Sequence, residues 1–429
     1  MGKKTRDVAV FFLMLAAVNL AISLTIARET PVKVQAWKFV SLGRVEHPGD
    51  LIPMYQVLQT SRSGKEPIYR EHFFKNRLKF IYPPTAMAFF HPFRELSQDR
   101  FLLIFADIVN RLFLLLGIAC SLFLFRRLAG LPAYPKLQQL ALYVSFFVLL
   151  GTFYPFFKAF TLGQAQVWIN SLILLALAAM LSGRQRLSGA AMAICTLIKP
   201  SYGLILLWGV ARRRWRFSVA FLLVCLIGLG VSLSIYGWQN HVDYLKVFSL
   251  IGQRGEGYYP NQSVNGLLNR MLFNGNNISW NARQYPPPHA AVIWGSTVFT
   301  LLITLFGLGL AVRKRETHDF PTFAVMLLCI SLAAPIAWEH SYGYTFPLLL
   351  FAMLAAFRDS RTDIPRLALA TASFLLASHF LHFINLRFHA GSWNFLQSYL
   401  FFAELLLLGL LSRRAWKQTA QNGAKLGEE

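Results

Sequence analysis

Apolar runs long enough to cross a lipid bilayer recur along the whole chain, and they constrain its fold more than any other feature. A hydrocarbon core about 30 Å thick requires roughly 20 consecutive apolar residues in a helix. Of the 429 residues, 55% are hydrophobic and only 14% are charged, whereas soluble proteins average about 25% charged residues. The sequence therefore predicts an all-α polytopic membrane protein.

The positive charge of the chain lies in short clusters between these apolar runs. Lys and Arg number 42 against 19 Asp and Glu, which gives a formal net charge of +23. Basic clusters that alternate with apolar runs are typical of the cytoplasmic loops of membrane proteins. We therefore expect no nucleic-acid partner, and we use the clusters to orient the helices.

The N-terminus and the cysteines give two further expectations. Lys3, Lys4 and Arg6 precede the first apolar run, so the N-terminus is predicted to be cytoplasmic. The run is about 20 residues long and is followed by no clear cleavage site, which favours a retained helix over a signal peptide. The four cysteines lie inside apolar segments without CxxC spacing, so we expect neither a disulfide nor a metal site.

Alternation of apolar runs and basic clusters predicts about twelve transmembrane helices with both termini in the cytoplasm. Basic clusters at Arg184/Arg186 and Arg212–Arg216 bracket residues 187–211, so this stretch must enter and leave on the same side. Two half-length helices broken at Lys199-Pro200 satisfy that requirement. The other predicted helices cover about 8–27, 100–125, 137–153, 165–182, 217–236, 290–312, 320–337, 342–357, 364–383 and 395–411.

This topology leaves two long external segments, residues 28–98 and 237–289, within one membrane domain of residues 1–412. Residues 413–429 are predicted to form a polar cytoplasmic tail. Several polar groups that have no evident structural reason lie on the external side or point towards it, which predicts one site there. They are Asp50, the turn at Tyr82, Gln164, Lys199, Asn261-Gln262 and Glu339-His340.

Asp50 follows a Pro-Gly turn just beyond the first apolar run. A carboxylate in that place can act as a general base for a hydroxyl group, or it can only cap a helix that begins at Leu51. Tyr55 lies on the same side of such a helix. Tyr82 precedes two prolines, and it either offers a phenol to a ligand or belongs to the start of an interfacial helix.

Two cationic residues inside apolar segments are candidate phosphate ligands. Lys199 lies at the predicted helix break, where an ammonium group generally faces a cavity or an anion, although snorkelling to the interface is an alternative. Arg111 lies four residues after Asp107, so we expect the two charges to neutralise each other. Contact between Arg111 and a phosphate is the alternative.

The remaining candidates are carboxamides and the tip of a predicted hairpin. Trp338, Glu339 and His340 lie between two apolar helices, where a charged histidine can bind a phosphate or can simply be a turn residue. Carboxamides suit hydroxyl-rich ligands but also cap helices. The candidate substrate-binding carboxamides are Gln164, Asn261, Gln262 and Asn265.

Taken in order, these motifs resemble glycosyltransferase family 87, the polyprenol-phosphate-mannose-type membrane enzymes of the GT-C class. The resemblance extends from about residue 8 to about residue 410. The matching residues are Asp50-x-x-x-x-Tyr55, YPP at 82–84, LGQAQ at 162–166, KP at 199–200, NQSVNGL at 261–267 and APIAWEH at 334–340.

The resemblance implies a GT-C-type bundle that moves a hexose, with mannose expected, from a polyprenyl-phosphate donor to a hydroxyl of a glycolipid or glycan. It implies Asp50 as the catalytic base and places His340 and Lys199 near the donor phosphate. The expected location is the bacterial inner membrane, with the active site on the periplasmic face. One carboxylate base and backside attack predict inversion. We expect no metal or cofactor, since Lys, Arg and His can neutralise the leaving phosphate.

Two other functions fit the same sequence features. A transporter or flippase of a lipid-linked saccharide could use the helix break at Lys199 to hold a phosphate. An O-antigen-ligase-like transferase would use a diphosphate-linked donor and would depend on arginines in a large external loop. An assay for sugar transfer from a polyprenyl-phosphate donor distinguishes the glycosyltransferase function from both alternatives.

Overall fold

The computed structural model describes residues 2–26, 51–61, 66–313, 319–357 and 362–423. Within these ranges the secondary structure is helical, apart from one isolated antiparallel bridge between Asn261 and Trp338. The prediction of an all-α protein is thereby confirmed for the described residues. Asp50 lies outside them.

Eighteen α-helices occur in the described ranges, joined by short 3₁₀ and π segments. In chain order they are α1 (Gly2–Leu24), α2 (Leu51–Thr60), α3 (Pro84–Phe90), α4 (Gln98–Leu102), α5 (Asn110–Ala129), α6 (Lys136–Gly151), α7 (Tyr154–Thr161), α8 (Gln166–Leu181), α9 (Gln185–Ile198), α10 (Ile205–Ala211), α11 (Trp215–Arg254), α12 (Val264–Met271), α13 (Ala290–Arg313), α14 (Asp319–Ala333), α15 (Phe346–Ala356), α16 (Ile364–Ser378), α17 (His382–Arg387) and α18 (Tyr399–Gly423).

Several of these helices match the length of a bilayer. In the described part of the chain, five spans are long and apolar enough to cross it, and the count is six if α6 and α7, which are bent by 49°, form one broken span. This confirms a multi-pass membrane protein, but the predicted number of twelve spans is not confirmed. The five spans are Lys4–Leu24, Gln98–Ala129, Trp215–Arg254, Ala290–Arg313 and Asn394–Arg413.

The helix break at Lys199 is present as predicted. Helix α9 ends at Ile198, Lys199 is extended (φ −136, ψ 97), and a 3₁₀ segment at Pro200–Leu204 leads into α10. Proline has no N–H to continue the helix and disfavours helical backbone at the residue before it. The break therefore leaves Lys199 between two helices that are each too short to span a bilayer.

Helix α11 is much longer than predicted. The apolar run suggested an end near residue 236, but the helix kinks at Gly237 (φ 68, ψ 168) and continues to Arg254. The sequence after the kink is amphipathic, and its buried residues recur at helical spacing. These residues are Asn240, Asp243, Tyr244, Val247 and Ile251. The predicted external segment 237–289 thus begins with helix rather than loop.

Helix α8 lies at the centre of the bundle, where nearly every residue from Gln166 to Met180 is buried. It packs against α5, α9 and α14, and against the 3₁₀ segment Glu339–Thr345. Continuous burial explains why α8 is apolar on all sides. The helix provides a rigid support for the segment that carries Glu339 and His340.

Candidate active site

A cavity of about 450 Å³ is lined by segments that are distant in the sequence. It lies among the chain around Lys79, helix α7, the start of α8, the break after α9, the second half of α11 and residues 334–340. Six of the predicted site residues line it. They are Tyr82, Gln164, Lys199, Trp338, Glu339 and His340.

The chain before Glu339 is fixed by hydrogen bonds to the neighbouring segment at Pro260–Gln262. The Gln262 N–H donates to the Ala337 carbonyl at 2.7 Å, and the Glu339 N–H donates to the Pro260 carbonyl at 3.0 Å. Such paired extended backbone is rigid. It sets the direction in which the Glu339 side chain enters the cavity.

His340 is fixed from the other side by the central helix. Asn170 of α8 donates from Nδ2 to the His340 carbonyl at 2.8 Å, and its Oδ1 accepts from Gln166 at 3.1 Å. Burial lowers the pKa of His340 well below its ordinary value, and the Lys158 and Lys199 ammonium groups act in the same direction. The imidazole is therefore neutral, and its buried Nε2 has no partner among the described residues.

Glu339 has a buried carboxyl group, and one of its two oxygens accepts a hydrogen bond. Its Oε2 accepts a hydrogen bond from the Tyr154 hydroxyl at 3.1 Å, while Oε1 has no partner in the described part of the chain. Burial raises the pKa of Glu339 to about 7, although the Lys158 charge and the Tyr154 hydrogen bond oppose that shift. The group therefore exchanges a proton near neutral pH.

Two lysines line the same cavity without an ion pair to a described acid, although the Lys158 charge interacts with Glu339. Lys158 and Lys199 both line it, and neither forms an ion pair with any described acid. The Lys158 Nζ lies 5.8 Å from the ring centroid of Tyr154. Half-buried ammonium groups are costly unless an anion approaches them. Together with the His340 imidazole, they form a site suited to a phosphate.

Five of the described predicted site residues do not line this cavity, and two of them are Arg111 and Tyr55. Arg111 forms the expected i, i+4 ion pair with Asp107 at 3.4 Å, and its guanidinium lies 5.1 Å from the Phe160 ring. The Tyr55 hydroxyl donates to the Leu96 carbonyl at 3.0 Å. The structure thus gives both side chains partners within the protein.

The predicted carboxamide ligands other than Gln164 also bond within the protein. Gln262 donates from Nε2 to the Gln397 carbonyl at 2.8 Å and accepts at Oε1 from the Phe401 N–H at 3.1 Å. Asn265 accepts at Oδ1 from Asn269 at 2.8 Å. These side chains are fully buried, and their bonds hold the loop around α12 in place.

Asn261 joins the two segments that frame the cavity. Its Nδ2 donates to the carbonyls of Glu256 (2.9 Å) and Pro335 (3.2 Å), and its Oδ1 accepts from the Ala337 N–H at 3.0 Å. The Asn261 side chain is fully buried, so its amide has these protein groups as partners instead of water. Asn261 therefore supports the position of Glu339 from two residues away.

Replacing Asn261 with alanine is expected to lower the free energy of unfolding by about 3 kcal/mol, because it leaves buried backbone groups unpaired. The measurement is thermal unfolding in detergent with a thiol-reactive dye, which reports exposure of the buried Cys195 and Cys329. Gln253→Ala, at an exposed position of α11, is the control. Equal midpoints for the two variants would contradict this role of Asn261.

The structure adds cavity residues that the sequence interpretation missed. Lys158 is a lone lysine in the apolar stretch YPFFKAF, and an isolated charge in such a stretch is itself a functional signal. Lys79 forms a 2.6 Å ion pair with Glu256, with both side chains buried. Its Nζ also lies 4.1 Å from the Trp280 ring and 4.4 Å from the Tyr285 ring. No local motif signals that long-range pair.

Comparison with known proteins covers most of the segments that line the cavity. A family model, Glycosyltransferase family 87, matches residues 80–338, which is more than half of the chain. Among solved structures, the crystal structure of ArnT from Cupriavidus metallidurans bound to undecaprenyl phosphate is 17% identical and has a TM-score of 0.25. That match covers 89% of this chain and 77% of ArnT. A search of curated proteins returned no match. On the extent of the family match, the chain belongs to glycosyltransferase family 87.

Proposed function

We propose that this membrane glycosyltransferase moves a hexose, with mannose expected, from a polyprenyl-phosphate donor to a hydroxyl of a glycolipid or glycan acceptor. The reaction takes place on the periplasmic side of a bacterial inner membrane. The observation that carries the proposal is the group of side chains on the cavity wall that is suited to binding a phosphate. Lys158 and Lys199 have no ion-pair partner among the described acids, and His340, which lines the cavity, has a buried Nε2 with no partner among the described residues.

These three groups suit a phosphate that leaves as the sugar is transferred. The acceptor oxygen attacks the anomeric carbon, and the bond from that carbon to the phosphate oxygen breaks. The electron pair stays on the phosphate, where charge increases in the transition state. Fixed cations and an imidazole N–H directed at that charge stabilise it more than they stabilise the ground state.

The acceptor hydroxyl must lose its proton in the same reaction, and Asp50 is proposed to accept it. Asp50 itself lies outside the described residues, but Pro53 lines the cavity. Pro53 lies in the first turn of α2, and three residues of chain reach at most about 11 Å even when fully extended, so a carboxylate at position 50 can reach this cavity. One base and direct displacement lead to inversion at the anomeric carbon.

The test is transfer of radiolabelled mannose from polyprenyl-phosphate mannose by the purified protein in liposomes that contain a bacterial glycolipid extract. Polyprenyl-phosphate glucose and galactose are assayed in parallel, and NMR of the product gives the anomeric configuration. We expect transfer from at least one of these donors with inversion. No transfer from any of them would favour a transporter or flippase, and transfer from a diphosphate donor alone would favour the ligase-like function.

Glu339 is expected to make donor binding depend on pH. Because its pKa is about 7, the carboxyl is neutral below that pH and repels a bound phosphate above it. The affinity of the wild type for polyprenyl phosphate, relative to Glu339→Gln, is therefore expected to fall by up to about tenfold per pH unit above pH 7.

The comparison with Glu339→Gln is necessary because the phosphate ester itself titrates near pH 6. That titration affects both proteins equally, so the ratio of their affinities isolates the carboxyl. Binding is measured from pH 6 to about pH 9 by the shift of the unfolding midpoint with added lipid. Parallel pH profiles for the two proteins would exclude this role of Glu339.

A further inference from the structure

A second concave site lies on the second half of helix α11. It is an open groove of about 480 Å³ between the helix and Pro288. Three of the α11 residues that line the groove each precede a residue that lines the cavity by two positions, which is roughly 200° around a helix. The groove and the cavity therefore lie on opposite sides of α11. The residues are Val242, Lys246 and Ser249 in the groove, and Tyr244, Phe248 and Ile251 in the cavity.

The groove has an apolar surface although it faces outwards. Leu245 is 64% exposed, and Val242 and Leu250 line the groove beside it. A surface helix in water would place polar residues on such a face. Because α11 begins with an apolar run of membrane length, the exposed apolar face of its second half is suited to contact with lipid.

The last residues of α12 and the turn after it show the same inverted pattern. Met271, Leu272 and Phe273 are 51%, 40% and 60% exposed, so three consecutive apolar side chains face outwards. The polar residues just before them, Asn269 and Arg270, are fully buried. A helix end in water would have the opposite arrangement. The apolar turn at residues 271–273 is therefore also suited to lipid.

Two hydrogen bonds hold this apolar turn beside the groove. Asn269 donates from Nδ2 to the Arg254 carbonyl at 3.1 Å, and Asn274 donates from Nδ2 to the Pro287 carbonyl at 3.0 Å. Both acceptors belong to segments that border the groove. Between the two asparagines, Phe273 has a φ of 51°, a left-handed conformation that is unfavourable for a bulky residue. The groove and the turn thus form one continuous outer surface.

The groove carries positive charge that the described acids do not fully neutralise. Lys246 and Arg254 line it, and no acid among the described residues does. Asp243 bonds to Arg70 at 2.7 Å as well as to Lys246 at 2.9 Å. Arg254 forms no ion pair with an acid in the described ranges. A guanidinium beside an exposed apolar surface is suited to the phosphate of a lipid.

We propose that the groove binds the headgroup phosphate of an anionic phospholipid, with Arg254 on the phosphate and the acyl chains along Leu245 and the turn at residues 271–273. Phospholipids are the main phosphate-bearing molecules of a bilayer, and this surface faces them directly. Two copies of the chain joined through this surface would bring like charges together. The inference goes beyond the proposed function and does not rest on it.

The bound phospholipid would support α11 from behind the cavity wall that Tyr244 and Ile251 form. Since the groove and the cavity lie on the same turns of one helix, a phosphate in the groove also fixes the depth of the cavity in the bilayer. The cavity would then open at the level of the lipid phosphates.

The test measures binding of phosphatidylglycerol to the full-length protein in detergent by the shift of the unfolding midpoint. Phosphatidylglycerol is expected to raise the midpoint of the wild type more than phosphatidylcholine, whose headgroup has no net charge. Arg254→Gln should raise the dissociation constant for phosphatidylglycerol at least about tenfold, because it loses charge-assisted hydrogen bonds to the phosphate. Arg283→Gln, at an exposed arginine outside the groove, should bind as the wild type does.

Phe273→Asn tests the apolar part of the site in a variant that keeps the fold. Asparagine adopts a φ near 51° more readily than phenylalanine does, so the midpoint without lipid should equal or exceed that of the wild type. Its dissociation constant for phosphatidylglycerol should be several-fold higher, because the lipid loses an apolar contact. If Arg254→Gln does not fold, this variant alone decides the outcome.

Other occupants of the groove predict different results. Glycerol phosphate, a headgroup without acyl chains, should shift no midpoint, and polyprenyl phosphate should stabilise the wild type and Arg254→Gln equally. A shift by glycerol phosphate as large as that by phosphatidylglycerol would mean a site for free phosphate. Weaker binding of polyprenyl phosphate by Arg254→Gln would assign the groove to the donor lipid, and a wild-type dimer that Phe273→Asn makes monomeric would assign it to a second copy. Each of these results overturns the proposal, as does equal binding of phosphatidylglycerol by the wild type and the folded variants.

Discussion

Replacement of Asp50 by asparagine is expected to lower the rate of sugar transfer by about 10²- to 10⁴-fold, the contribution of a general base to proton transfer. Asparagine has nearly the same shape but cannot accept a proton from the acceptor hydroxyl. Binding of polyprenyl phosphate should not weaken, because the base contacts the acceptor and not the leaving group. The measurements are initial rates at saturating donor and the lipid-dependent shift of the unfolding midpoint.

Asp99→Asn is the matched control for this substitution. Asp99 is exposed in the first turn of α4, directly after the predicted external segment 28–98 that contains Asp50. The control should transfer sugar at the wild-type rate. Asp50→Asn that retains most of its activity would remove Asp50 as the base, and equal losses in lipid binding and rate would indicate a structural effect instead.

The large features of the fold could be predicted because they depend on local properties of the sequence. Apolar length and basic clusters predicted a membrane protein, and proline together with the flanking arginines predicted the break at Lys199. The end of α11 was misplaced because Gly237 and the polar residues after it indicate a loop when only hydrophobicity is considered. The helical spacing of the apolar residues after Gly237 would have predicted that the helix continues to Arg254.

The site was only partly predictable for a different reason. The motif residues Asn261 and Glu339 both lie at the cavity's framing segments, but sequence could not tell that Asn261 bonds to backbone while Glu339 faces the cavity. That distinction depends on contacts between segments about 75 residues apart. The pairing of Lys79 with Glu256 spans a still longer separation. No local pattern records such contacts.

Replacing Lys158 or Lys199 with methionine is expected to lower kcat/KM for the polyprenyl-phosphate donor by about 10²-fold each, similar to the loss of one group that stabilises transition-state charge. Methionine keeps an unbranched, flexible side chain and removes only the ammonium group. The double variant should lose less than the product of the single losses, because both lysines act on one phosphate. Donor titrations of transfer by the four proteins give these values.

The stability of the ligand-free variants shows whether these lysines bind the phosphate or stabilise the folded protein. A half-buried ammonium without an ion pair costs free energy in the empty protein, so Lys199→Met should unfold at the same temperature as wild type or at a higher one. Lys158→Met, which also loses an interaction with Glu339, should unfold within a few degrees of wild type. Lys75→Met, which removes an exposed lysine paired with Glu71, should leave transfer unchanged. A lower unfolding temperature together with lost activity would mean that the two lysines stabilise the bundle. Lost activity at undiminished stability would support the assignment of these lysines to a bound phosphate, because the ammonium groups then contribute to the reaction and not to the fold.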